Sequence, residues 1–154
     1  MTRVWPFHVI AVPTAIVMVF NFQSQARWIY LDGREHSDPN IYVPSYNGES
    51  IGHWEKDTMV VHTTHFRGDH HWMDQGGMSI PAGEKLEITE RIRLVSGGKQ
   101  LEIAYTMTDP ENWEGEWKST KLFNRVNDVD ITEVECTPDL NEHLQSTSSS
   151  VHVR

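Results

Sequence analysis

The chain has 154 residues and a formal net charge of −9 at pH 7, a length that fits one domain built around one core. Negative charge spread along the chain leaves nothing to neutralise phosphates, which excludes nucleic acid and an anionic membrane surface as partners. A composition of 38% hydrophobic and 23% charged residues excludes wholesale disorder, and a single cysteine, Cys136, excludes an internal disulfide framework or a zinc site of several thiolates.

The first 26 residues have the outline of a secretory signal: Arg3, an apolar stretch from Val9 to Phe20, then the small-residue site Ser24-Gln25-Ala26. Pro13 interrupts that stretch, and β-branched and aromatic residues dominate it. It therefore reads as two strands, Val4–Val12 and Thr14–Phe22. It is also shorter than the roughly 20 residues of a membrane helix, so the expected protein is soluble and cytoplasmic. Ala26–Leu31 is the next strand, ending at the turn Asp32-Gly33. Asp32 to Ser50, with its Pro, Gly, Asp and Asn, reads as a long irregular loop. Strands follow at Ile51–Glu55 and Thr58–Phe66. A second long loop, Arg67 to Gly83, is expected to pack over one barrel mouth as a mobile lid. Lys85–Val95, Gln100–Thr108, Glu116–Val126 and a weaker Asp130–Cys136 complete the strands, and residues 137–154 form a flexible tail.

In the hairpin around Gly97-Gly98, a two-residue turn pairs Leu94 with Leu101, Ile92 with Ile103 and Ile88 with Met107. The same register sets Arg93 beside Glu102 on the other face. Glu90 then sits on the apolar face, between Ile88 and Ile92 and opposite Tyr105. A buried carboxylate is costly unless paired or protonated. Glu90 is therefore either a general acid/base with a raised pKa lining a cavity, or a structural group bonded to Arg, Tyr or backbone.

Six Trp and nine His suit a small-molecule pocket. His62, His65, His70 and His71 lie within ten residues, which suggests a metal site or a proton-transfer cluster. His62 and His65, three apart on a strand, point to opposite faces, which weakens chelation. The expectation is no metal, with these four histidines as the ligands if one binds. The preferred reading is one inward imidazole, His62 or His65, working with Glu90. Trp28, Tyr30, Tyr46, Trp54, Trp72, Met107 and Trp117 are the candidates to bind the substrate's carbon skeleton, Trp72 from the lid. Phosphate-binding glycine loops, a nucleophile elbow and a dinucleotide fingerprint are absent, so no cofactor is expected.

Trp28-Ile-Tyr-Leu-Asp-Gly-Arg-Glu-His36, followed by Asn47-Gly-Glu-Ser-Ile-Gly-His-Trp-Glu-Lys-Asp-Thr-Met-Val-Val61, resembles a family of small bacterial proteins, many of them secreted. Its pattern is Arg-Ile-Tyr-Xxx-Asp-Gly-Arg, then Gly-Xxx-Ser-Xxx-Gly-Xxx-Trp-Glu-Xxx-Asp-Thr-Leu-Val-Val, an acidic residue and Thr-Xxx-Xxx-Phe. Glu90-Arg91 and Asp109-Pro110 complete it. The resemblance spans roughly residues 4–126 and implies a β-rich domain, but no reaction. This chain departs from it at His62, where the family carries an acid, and at His65, where it carries Gly or Asn. A third departure is Gly77-Met78-Ser79 in place of Pro-His-Ser.

These readings converge on an all-β, single-domain antiparallel β-barrel of lipocalin-like character over residues 1–136, with a β-sandwich as the alternative. The expected function is a cofactor-independent lyase or isomerase acting on a hydrophobic, oxygenated small molecule. Glu90 with His62 or His65 would move protons, and Tyr105 would bind the developing oxyanion. A carrier of an apolar ligand and a His-ligated metalloenzyme are the alternatives, and a homodimer is left open.

Overall fold

The computed structural model describes residues 6–21, 25–68, 71–75 and 78–127. The expected strand Asp130–Cys136 and the tail 137–154 lie outside them. The fold is all-β. Eight strands form one curled sheet, a half-barrel, in the order β1 (Phe7–Val12), β2 (Ala15–Phe20), β3 (Ala26–Tyr30), β4 (Glu49–Glu55), β5 (Thr58–Thr64), β8 (Glu87–Val95), β9 (Gln100–Thr108) and β10 (Trp117–Asn124). The edge strands β1 and β10 approach each other at the Phe7 and Phe123 rings, 5.0 Å apart and nearly perpendicular. No hydrogen-bonded pairing joins these edges among the described residues. No helix among those residues is long and apolar enough to cross a membrane.

Alternation sets the faces. Ile88, Glu90 and Ile92 of β8 point inward with Met59, Val61 and Thr63 of β5 and Ile103, Tyr105 and Met107 of β9, while Arg91 and Arg93 point to solvent. The expected register holds: Leu94 pairs with Leu101, Ile88 with Met107 and Glu90 with Tyr105, and Arg93 Nε donates to Glu102 Oε1 at 2.6 Å. The ladder stops at Val95 and Gln100, however, so the chain reverses over Ser96–Lys99 rather than over two residues. Left-handed backbone at Ser96, Gly97 and Gly98 makes that wider turn.

Two other expectations need correction. The sheet is not wholly antiparallel, because β3 and β4 run parallel, with Ile29 paired to Ser50 and Tyr30 to Ile51. Residues 31–48 form the long crossover that a parallel pair requires, so the irregular loop has a topological role. The segment Arg67–Gly83 is not simply a loop. It contains a separate hairpin, β6 (His71–Gln75) paired with β7 (Met78–Ala82), in register from His71–Ala82 to Gln75–Met78. Its two strands flank a Gly-Gly dipeptide, a hairpin signal that the abundance of glycine in the segment obscures.

The loop 31–48 is anchored along its length. Arg34 forks onto Asp32 through Nε and Nη2 and lies over the Tyr30 ring at 3.9 Å. Asp38 accepts from the Asn40 backbone and its carbonyl from Tyr42, which turns the chain. Ser45 is bridged to Phe66, its N–H donating to the His65 carbonyl at 3.1 Å. Gly48 closes the loop in left-handed backbone (φ +64°), where a Cβ would overlap the Thr64 carbonyl oxygen and lie 2.9 Å from Thr63 Cγ2. Gly48→Ala is therefore expected to lower stability by about 1–3 kcal/mol, as urea unfolding would measure. An unchanged midpoint would show that β4 and β5 can part at this point without cost.

Candidate active site

Glu90 lies inward as its register requires, but it is not a free acid. Arg27 of β3 meets it in a forked ion pair, Nη1 donating to Oε1 at 2.9 Å and Nη2 to Oε2. Arg27 Nε donates to Ser50 Oγ at 3.0 Å and Nη2 to Thr63 Oγ1 at 2.9 Å, so the guanidinium's remaining contacts are polar too. Arg27 and Glu90 are both almost wholly buried. Burial would push the Glu90 carboxyl up, but the Arg27 charge and hydrogen bonds outweigh it and hold the group below the usual range. The pKa expected to rise on an apolar face is thus lowered, because an arginine, the kind of partner that the structural alternative allowed, pairs with the carboxylate. Tyr105, opposite, is likewise buried.

The described residues form two clefts that Glu90 and Tyr105 do not line. The first, about 1020 Å³, lies at one end of the sheet, among the loop 36–44, the end of β5, residues 84–87 and the turn 108–116. Its wall carries His36, Thr64, His65 and Trp113. Asp109, fully buried, anchors the turn that presents Trp113. It accepts from the Gly83 N–H at 2.6 Å and from Asn112 Nδ2 at 2.8 Å, and its carbonyl accepts from the Trp113 N–H at 3.0 Å. Glu84, Glu87, Glu114 and Glu116 outnumber Lys85 along the cleft and leave its rim net negative.

At this wall four elements bring together an imidazole–carboxylate cluster. Glu49, at the start of β4, is buried, with Oε1 accepting from Ser37 Oγ at 2.7 Å and Oε2 from the Ser37 N–H at 2.9 Å. His36 Nδ1 is 3.1 Å from Glu49 Oε2, and His65 Nδ1 is 3.4 Å from the same oxygen. Thr64 Oγ1 lies 3.2 Å from His36 Nδ1 and 2.8 Å from His65 Nδ1. Behind the cluster, His36 Nε2 is 3.0 Å from His62 Nδ1, and His62 Nε2 faces Glu87 Oε2 at 3.5 Å. Burial pushes the Glu49 carboxyl up, but the Ser37 donors and His36 outweigh it and leave its pKa below the ordinary value. Tyr42, whose ring is 4.9 Å from that of His65, is pushed up by burial and then by the Glu49 charge.

His62 and His65 do not diverge as the strand period requires, since both approach His36, with ring centroids 5.1 and 6.0 Å away. The strand ends at Thr64. His65 adopts left-handed backbone (φ +58°), which breaks the alternation and turns its ring back to the cluster. Of the expected ligand set, His65 belongs to the convergent group and His62 adjoins it. His70 and the side chain of His71 lie outside the described residues.

The expected aromatic lining is dispersed rather than gathered. Trp28, Tyr46 and Trp54 are exposed, Tyr30 is under Arg34, and Met107 is core. Trp117 packs edge-on against Trp113, and the Trp72 side chain lies outside the described residues. Trp54 instead borders the second cleft, about 990 Å³, with Phe7, Val9, Ile10, Leu94 and Leu122. His36 and Glu49 escaped sequence reasoning although both lie inside the quoted motifs. His36 sits in a loop, and Glu49, the first residue of β4, reaches Thr64 of β5 at the open end of the antiparallel β4–β5 pair. Comparison with known protein families, curated proteins and solved structures finds no match for this chain.

Proposed function

We propose that this protein is an enzyme that moves protons on a small oxygenated molecule, as a lyase or isomerase does, at the cluster on the wall of the first cleft rather than at Glu90. One observation carries the reading: a continuous chain of titratable atoms runs from the half-buried His65 and His36, past Glu49, through His62 to Glu87 at the surface. His65 borders the cleft and is the group that takes a proton from substrate, with His36 beside it leading to His62. Glu49, ionised and acceptor-only, stabilises the imidazolium that forms. His62 and Glu87 pass the proton to water. The acidic rim favours an uncharged or cationic substrate over an anion, and Trp113 and Pro39 supply apolar contact.

The test is proton NMR in D₂O with a panel of uncharged and cationic hydroxy and oxo compounds. Wild-type protein is expected to exchange or eliminate a carbon-bound proton in at least one of them, and His65→Ala to abolish this. Compounds that shift the His65 and Trp113 resonances while no member of the panel reacts would overturn the reading.

A second reading rests on the other cleft. Val9, Ile10, Trp54, Leu94 and Leu122 are each roughly half exposed or more around it, an apolar surface suited to a carried ligand. Binding of an apolar fluorophore that Trp54→Glu abolishes, with the first cleft's resonances unmoved, is the expected result if this cleft is a carrier site.

A further inference from the structure

We infer that His36 Nδ1, Glu49 Oε2 and His65 Nδ1 together bind one divalent transition-metal ion at the wall of the first cleft. Among the described residues, these three donor atoms lie within 4.8 Å of one another. Glu49 Oε2 accepts the Ser37 N–H at 2.9 Å and also faces His36 Nδ1 at 3.1 Å and His65 Nδ1 at 3.4 Å, so one buried carboxylate oxygen and two imidazole nitrogens converge on one point. Thr64 Oγ1 lies 3.2 and 2.8 Å from the same two nitrogens and has a single hydroxyl proton to share between them.

Geometry and chemistry agree. Adjacent ligands about 2.0–2.1 Å from one ion are about 2.8–3.4 Å apart, from octahedral to tetrahedral coordination. The carboxylate oxygen is 3.1 and 3.4 Å from the two nitrogens, which lie within 4.8 Å of each other and would draw together on an ion. Two imidazoles and one carboxylate suit zinc or ferrous iron rather than calcium or magnesium, and leave coordination positions open. The supporting contacts are in place: His62, oriented by Glu87, holds the far nitrogen of His36, and Ser37 holds both Glu49 oxygens. The acidic rim raises the local concentration of cations. A bound ion would supply a Lewis acid and a water of lowered pKa at the cleft wall, and that water would then be the base, because His36 would have both ring nitrogens engaged. This goes beyond the expectation of no cofactor.

The inference concerns the same cluster as the proposed reaction but does not require turnover. The test is calorimetric titration of the chelator-stripped full chain with Zn²⁺ alone, with histidine ¹⁵N spectra recorded at each point. One saturable site is expected, with the His36 and His65 nitrogens shifting together in the wild type. His36→Ala and Glu49→Gln should weaken the site by more than about 100-fold, and His62→Phe by about 10–100-fold. His53→Ala, at an exposed histidine beside Glu55, should leave it unchanged. No saturable uptake, or shifts confined to other histidines, would overturn the inference even if a variant failed to fold. Zn²⁺ binding without any reaction would leave the metal site standing and remove the enzyme reading. Turnover in stripped protein that takes up no Zn²⁺ would do the reverse.

Discussion

Arg27→Met is expected to lower the stability of the fold by about 3–5 kcal/mol, a large share of what a domain of this size possesses. The substitution roughly preserves volume but leaves the Glu90 carboxylate buried with no cation and removes the donors that Ser50 and Thr63 accept from. Arg27→Met combined with Glu90→Leu should recover much of the loss, because the cost lies in the uncompensated charge rather than in the missing bond. Acidity separates this from simple loss of packing. In the wild type the Glu90 pKa is lowered. Its contribution is therefore complete above the unfolded-state value, about 4.3, and is lost as pH falls through the folded value. In Arg27→Met the unpaired buried carboxyl shifts upward instead, so the folded state binds the extra proton and the variant gains stability as pH falls from 7 towards 5. Urea unfolding at pH 7 and pH 5 measures both. A variant as stable as the wild type, or one that loses stability on mild acidification, would mean that the pair does not hold the sheet together.

The ion pair shows where sequence reading succeeds and where it stops. Hairpin periodicity and turn chemistry placed Glu90 inward opposite Tyr105, because adjacent strands obey a two-residue rule that local sequence carries. Arg27 could not be read as its partner. It lies 63 residues away, and the two meet only because β3 pairs in parallel with β4, across which β5 and β8 follow. A hairpin leaves a local signal, whereas a parallel crossover through an irregular loop leaves almost none. The same crossover concealed the cluster. His36 sits early in loop 31–48, where no periodicity applies, and Glu49 opens β4 inside a stretch whose Pro, Gly, Asp and Asn read as loop. His65 was misdirected for a related reason. Its rotation depends on left-handed backbone that its residue type does not announce.

Glu49→Gln is expected to reduce turnover by about 10²–10⁴-fold while costing about 1–2 kcal/mol of stability, a modest loss beside that of Arg27→Met. In the proposed reaction Glu49 is a positioning residue. Its carboxylate lies behind the two imidazoles that border the cleft, 3.1 and 3.4 Å from their nitrogens, and fixes which ring nitrogen stays bare. The amide of Gln keeps an acceptor for one Ser37 donor but has no negative charge to stabilise an imidazolium, and its NH₂ can donate to Nδ1 and so move the ring proton onto the nitrogen that must stay bare. The loss is expected with or without a bound ion, since an imidazolium and a metal ion both need this anion. The pH profile carries the sign. Because the Glu49 carboxyl is held below its ordinary value, it remains ionised through mild acid, and its contribution to stability is lost only as pH falls through the lowered folded value. Glu49→Gln should flatten that acid limb in thermal melts, and Glu49→Asp, which restores the charge at shorter reach, should recover part of the turnover. A Gln variant with full activity and an unaltered acid limb would remove Glu49 from the site, and with it the argument that the cluster, rather than the buried Arg27–Glu90 pair, is where this fold does its chemistry.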